Sequence, residues 1–171
     1  MARRLIMSPE RVRRMLVRLS YEIVERNRGA SNVDIVGIRR RGGAVAQAIA
    51  KEMRAIEDHP FTVSELDVSA YRDDLESDDE VKDESEIAGD IEDRDVVLVD
   101  DVLFTGRTAR AALDALVQYG RPRSIQLAVL IDRGHREYPI QPDYLGRFLQ
   151  TKHRERVVVD IDEDFAVYVV E

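Results

Sequence analysis

The stretch "VVLVDDVLFTGRTARAALDAL", residues 96–116, carries more of the architecture than any other. Val96 to Val99 read as a short buried strand. Asp100 and Asp101 follow at once, and a Thr105-Gly106-Arg107-Thr108 turn then opens a helix. That helix is expected to bury Ala109, Ala112, Leu113, Leu116 and Val117 on one face and to close at Gly120 and Pro122. A Thr-Gly-Arg-Thr turn at a helix start offers unpaired backbone N–H groups and two hydroxyls to an anion, with the positive helix end behind them. The spacing is neither that of a P-loop nor that of a dinucleotide-binding glycine turn, which argues against a nucleoside triphosphate or NAD. Two carboxylates at a strand end suit the vicinal hydroxyls of a sugar. On spacing alone, a solvated acid pair before a capped helix fits equally.

Outward from this stretch, strands and helices alternate. Ser8-Pro9 reads as a cap and a first-turn proline for a helix carrying Val12, Met15, Leu16, Leu19 and Ile23 on one face, with an Arg-rich outer side. "DIVGI" (34–38) runs into "RRRGG", and helical spacing resumes at Val45, Ile49 and Met53. "SELDVSAY" (64–71) alternates as a strand does, "SIQLAVLID" (124–132) is apolar on both faces, and "RVVVDIDEDFAVYVV" reads as two strands about an acidic turn. Residues 72–93 carry 12 acids and few large apolar groups, so a long mobile loop is expected there. The pattern predicts one α/β domain over residues 1–171, with a mainly parallel sheet flanked by helices and smaller terminal additions. In such sheets ligands gather at the carboxyl ends of the strands, where segments 39–42, 72–76 and 100–108 all fall.

Net charge is −8 and strongly segregated. Residues 1–54 hold 13 Lys and Arg against 5 acids, while 55–101 hold 3 against 19, so nucleic acid cannot be gripped by the whole surface, only by a basic part of it. The chain has no cysteine, which removes disulfides, zinc fingers and thiol nucleophiles, and no long apolar run. A soluble cytoplasmic protein with no membrane partner is expected.

Five blocks, "VGIRRRG" (36–42), "SAYRDDL" (69–75), "LVDDVLFTGRTARAALDAL" (98–116), "GRPRSIQLAVLIDRGHREYPI" (120–140) and "DYLG" (143–146), together resemble the PyrR family. These are bifunctional pyrimidine-operon attenuators and uracil phosphoribosyltransferases of the type I phosphoribosyltransferase superfamily. The resemblance implies that superfamily's fold, with a small hood from the terminal segments. It implies that Asp100 and Asp101 hold the ribose of phosphoribosyl pyrophosphate (PRPP), and that Thr105, Gly106, Arg107 and Thr108 hold its 5-phosphate. Arg39, Arg40, Arg41 and Gly42 would meet the pyrophosphate, although Arg40 stands where the family has a hydroxyl residue. Arg72, at the loop root, would join them; an ion pair with Asp73 or Asp74 is the plainer reading. The resemblance places the uracil pocket at Asp132 and Arg133; His135 stays unassigned, with a structural role the plainer reading than a catalytic one. Mg²⁺ would arrive with PRPP and touch Asp100 or Asp101 only indirectly, through substrate or water.

The family's second activity is UMP-responsive binding to a leader mRNA stem-loop. Arg14, Arg18, Arg136 and Arg147 are the candidate RNA residues, and each could equally be an ordinary solvated charge. Val17 and Tyr21 replace a Thr and a His of the family pattern, and Gln141 replaces an Arg, which removes polar or positive partners. A phosphoribosyltransferase with lost or altered RNA regulation therefore stays open, as does an RNA-binding regulator with vestigial catalysis. A purine or orotate enzyme shares the opening motif but not the "DRGHREYPI" block. A homo-oligomer, dimeric or larger, is implied, with no interface legible.

Overall fold

The computed structural model describes residues 2–73 and 82–171. Strand β1 (Arg3–Met7) leads into α1 (Pro9–Arg26), whose cap Ser8 accepts a hydrogen bond from the Arg11 N–H at 3.4 Å. Then follow β2 (Val33–Ile38), α2 (Arg41–Ile56), β3 (Val63–Leu66), β4 (Asp95–Leu103), α3 (Arg107–Leu116), β5 (Ser124–Asp132) and β6 (Tyr144–Phe148). Finally come β7 (Arg156–Asp160) and β8 (Ala166–Val170).

Strands β3-β2-β4-β5-β6 form a parallel sheet in that order. Its two faces are filled by alternate residues. Val97 and Val99 of β4, with Ala128 and Leu130 of β5, pack under α1 and α2. Val96, Leu98, Leu127 and Val129 face the other way, against Ala109, Ala112 and Leu116 of α3. Burial on both faces is why these strands read as unbroken apolar runs. The ends of the chain meet in a separate antiparallel sheet, β1-β8-β7, the small hood the resemblance implies. Among the described residues no helix is long and apolar enough to cross a membrane.

Two expectations need correction. The alternation of residues 64–71 ends at Leu66, because the Asp67 carboxylate accepts from the Ser69 N–H at 3.0 Å and the Glu84 N–H at 3.1 Å, folding the chain into a short 3₁₀ turn at Ser69–Tyr71. On α3, Leu113 and Val117 are 36% and 52% exposed, and the buried face is built instead from alanines and Leu116. The expected mobile loop falls partly outside the described residues. Its later part docks on the sheet edge, where Glu65 and Glu86 exchange backbone hydrogen bonds and Ile91 is buried.

At the opposite end of the sheet from the strand tips that gather the ligand segments, the buried Asp95 is gripped by Arg123 and accepts from the Ser124 hydroxyl at 2.7 Å. The Arg123 hydrogen bond does most to hold this carboxyl low, at about 2. A depressed carboxyl stabilises the fold above its unfolded value near 4 and loses that contribution as pH falls through about 2. Asp95→Asn should therefore cost about 2 kcal/mol near neutrality, with the difference from wild type shrinking below about pH 4 in denaturant titrations.

Candidate active site

Strand β4 runs its apolar residues through the core and delivers Asp100 and Asp101 to its carboxyl end. There the chain turns its own N–H groups onto the acids. The Asp101 N–H donates to Asp100 Oδ1 at 2.9 Å, and the Val102 N–H donates to Asp101 Oδ1 at 2.8 Å. Burial raises the proton affinity of Asp100 well above the usual carboxylate range, and the adjacent charge of Asp101 raises it further. The Asp101 N–H and the charge of Arg72 work against that rise.

Beyond Leu103 comes the turn. Gly106 has φ +89°, a left-handed conformation that L side chains rarely adopt, and a side chain there would also press on Ile140. Thr105 Oγ1 accepts from the Arg107 N–H at 3.2 Å, and no side-chain hydrogen bond from the residue at the cap position closes α3. The start of α3 thus presents N–H groups and the Thr105 and Thr108 hydroxyls to a cleft that Asp100 and Arg72 also line. The guanidinium of Arg107 is engaged by the chain's own acids: it donates to Glu137 at 2.9 Å and to both Asp73 oxygens at 3.0 and 3.1 Å. Glu137 and then Asp73 hold the Arg107 proton more firmly than usual. Asp73, expected to pair with Arg72 at the loop root if at all, also accepts from Tyr138 at 2.9 Å.

The Arg-rich loop reaches the same place from β2. Its Arg39–Arg40 peptide is cis, Arg40 precedes α2 and Arg41 begins it, both exposed. Gly42 sits so close to β4 that a Cβ there would lie 2.5 Å from the Val99 carbonyl oxygen and 3.3 Å from Asp100 Oδ1. Glycine is what allows the start of α2 to pack this closely against the strand that carries Asp100. Arg39 turns toward the acidic segment, bonding the Glu84 carbonyl at 3.2 Å and its carboxylate at 3.1 Å.

The wall beyond the end of β5 is arranged differently from expectation. Arg133 is buried and donates to Thr151 Oγ1 and the Lys152 carbonyl, both at 3.0 Å. Asp132 is buried too, and receives Arg136 at 2.6 Å. Neither side chain lines the cleft; both brace its wall from behind. Arg136 is no surface cation either, since it also donates to the Phe104 carbonyl at 2.8 Å and the Ile140 carbonyl at 2.7 Å. What faces the cleft here is Phe104 and His153, which the sequence did not single out. His135, expected to be structural, has Nε2 2.7 Å from the Thr151 carbonyl, which it can only meet as a donor.

Arg11, Arg14, Arg18 and Arg147 line a separate hollow between α1 and β6. Arg18 is turned back onto Glu22 at 2.8 Å and the Leu145 carbonyl at 3.2 Å. Tyr21 is 56% exposed on the same helix, Val17 is half-buried, and Gln141 accepts from Arg136 at 3.2 Å.

The chain matches the phosphoribosyl transferase domain family over residues 10–163. The Bifunctional protein PyrR of Bacillus subtilis (strain 168) is 49% identical over 162 residues, spanning 92% of this chain and 90% of that protein. Its namesake in Bacillus velezensis is 47% identical with the same coverage. Among solved structures, the hypoxanthine phosphoribosyltransferase of Trypanosoma cruzi overlays with a TM-score of 0.75 at 17% identity, over 97% of this chain and 95% of its own. A hypoxanthine-guanine phosphoribosyltransferase of Bacillus anthracis gives 0.74 at 19%, over 98% and 97%. Identities that low speak to the fold alone. Sequence similarity over nearly the whole length, on a parallel sheet that carries Asp100 and the Thr105–Thr108 turn into one cleft, makes this chain a type I phosphoribosyltransferase of the PyrR family.

Proposed function

We propose that this protein transfers the phosphoribosyl group of PRPP to uracil, giving UMP and pyrophosphate, and that UMP in turn promotes its binding to a leader mRNA stem-loop that attenuates pyrimidine-gene transcription. The observation that supports the catalytic half is that Asp100, Arg72 and the Thr105–Thr108 turn line one cleft, while Gly42, at the end of the Arg-rich loop, lies close against Val99 and Asp100. PRPP carries two phosphate groups on opposite sides of a ribose, and the three elements match its three parts. Asp100 and Asp101 accept from the ribose hydroxyls, and Thr105, Gly106, Arg107 and Thr108 hold the 5-phosphate. Arg39, Arg40, Arg41, Gly42 and Arg72 face the pyrophosphate.

As the bond from ribose carbon 1 to pyrophosphate lengthens, positive charge develops on the sugar and negative charge on the leaving group. Prearranged arginines stabilise the second, and the carboxyl groups beneath the ribose tolerate the first. No nucleophile–base pair is required. Among the described residues no group of three or more His or acid side chains could hold a metal ion, so the acid pair suits Mg²⁺ that is carried in by PRPP and reached through substrate or water. Bound in that way, Mg²⁺ supplies further neutralisation of the pyrophosphate.

For RNA, Arg14 and Arg147 flank the hollow beside α1 and are the better placed of the four candidates. Arg18 contributes with part of its guanidinium already engaged, while Arg136 is withdrawn into the 132–141 segment. With Val17, Tyr21 and Gln141 supplying no charge, RNA binding is expected to be weak or altered in specificity; tight, UMP-stimulated retention of its own leader RNA in a filter assay would contradict this.

Catalysis is tested by supplying uracil, PRPP and Mg²⁺ and measuring UMP, with hypoxanthine and orotate as competitors. Folded protein that forms no UMP would overturn the reading. Asp100→Asn separates function from stability. The raised proton affinity of Asp100 means that its ionised form is disfavoured in the fold, a cost that grows as pH rises above the unfolded value near 4. The variant should melt higher than wild type at neutral pH, lose that advantage toward about pH 4, and form UMP at least about tenfold more slowly.

A further inference from the structure

A pyrimidine acceptor must lie beside ribose carbon 1, against a surface that is neither the phosphate turn nor the carboxylate pair. With Asp132 and Arg133 turned inward, the cleft offers one aromatic wall, made of Phe104 and His153. Their ring centroids are 5.3 Å apart with planes at 57°, and His135 closes the cluster at 5.6 Å from Phe104 and 5.4 Å from His153. A flat, uncharged ring is well accommodated by such a wall.

The two histidines differ in what their nitrogens do. His135 uses Nε2 on the Thr151 carbonyl. His153 makes ring contacts, and no hydrogen bond of its ring nitrogens is found among the described residues. Its backbone is nevertheless firmly placed. The buried Arg133 guanidinium donates to the carbonyls of Lys152 at 3.0 Å and His153 at 3.3 Å, and Glu155 accepts from the Lys152 N–H at 2.6 Å. The same guanidinium lies 3.9 Å from the Phe104 ring centroid. One buried cation thus positions an aromatic ring and an exposed imidazole together, with both imidazole nitrogens available at the mouth of the cleft.

Building on the proposed reaction, we propose that His153 is a base-specificity residue: its imidazole hydrogen-bonds the edge of the pyrimidine ring lying against Phe104, while Arg133 acts only by positioning the two. A uracil edge alternates carbonyl acceptors with an imide N–H, and a neutral imidazole offers one donor and one acceptor, so either polarity can be matched.

The test compares wild type with His153→Ala, His153→Gln and Phe104→Leu, all checked for unchanged melting temperature. Calorimetry measures binding of UMP and of ribose 5-phosphate, which share the sugar phosphate and differ by the base. Losing one well-formed hydrogen bond in His153→Ala should weaken UMP about tenfold while leaving ribose 5-phosphate unchanged. In steady state the uracil KM should rise about tenfold with kcat and the PRPP KM within about threefold, and His153→Gln should recover part of the loss. Phe104→Leu should weaken UMP selectively as well. Unchanged UMP affinity in His153→Ala, or equal weakening of both ligands, overturns the inference while leaving the proposed reaction intact. Wild-type protein that neither forms nor binds UMP overturns both.

Discussion

The constraint on which the rest of this structure depends is the delivery of two adjacent carboxylates to the half-buried end of a core strand. Nothing in a parallel sheet welcomes negative charge, and half-buried Asp100 has its proton affinity raised first by desolvation and then by its neighbour. The surroundings supply what compensation they can. The N–H groups of Asp101 and Val102 fold onto the pair, Arg72 contributes positive charge, and glycines at the start of α2 keep other side chains away. The glycine at 42 has no side-chain freedom to offer; its value is the 2.5 Å approach that any Cβ would forbid. A site strained in this way is expected where binding rather than stability set the residue choice.

Around that pair the arginines divide into two kinds. Arg133 and Arg136 are internal, each donating to several carbonyls across the segments 104, 132–141 and 149–155, which have little regular structure of their own. Such segments cannot satisfy their backbone acceptors through a ladder, and a guanidinium with five donors replaces one. Arg40, Arg41 and Arg147 instead keep to the surface or the cleft rim. Arginine fits both duties, because it stays charged when half-buried and places its donors in a rigid fork.

What could be read from the sequence follows this division. β2, β4 and β5, with the turns and helices after them, were legible because each is an apolar run buried on both faces and ended by glycine or acid, a pattern that local sequence expresses fully. β6 was not, since Gly146 and Arg147 interrupt it and only Tyr144 is buried. The strand through residues 67–71 failed because one side chain, Asp67, redirects the backbone. At the site, Asp100, Asp101 and the Thr-Gly turn were legible as chemistry at fixed spacing. Asp132 and Arg133 were placed by the resemblance and Arg136 by its charge, but the direction of these side chains is set by partners as far as 32 residues away in the chain. Phe104 and His153 carried no local signal, being far apart in sequence and brought into ring contact only by the fold.

The acidic segment also gains a physical reading. It looked like a run too charged to fold, yet its described parts form specific ion pairs with the basic groups of the cleft: Asp73 with Arg107, and Glu84 with Arg39. Both pairs are substantially exposed on the acid side, so each contributes little to stability. On the proposed reading their consequence lies in binding: the 5-phosphate would meet at Arg107 a guanidinium already paired with Glu137 and Asp73, and would exchange with a carboxylate rather than with water. Because the exposed pair is weak, that exchange costs little, while the cation is kept in a defined place until the anion arrives. The segregation of charge along the chain, basic then acidic then basic, is thus converted by the fold into short pairs across the mouth of one cleft.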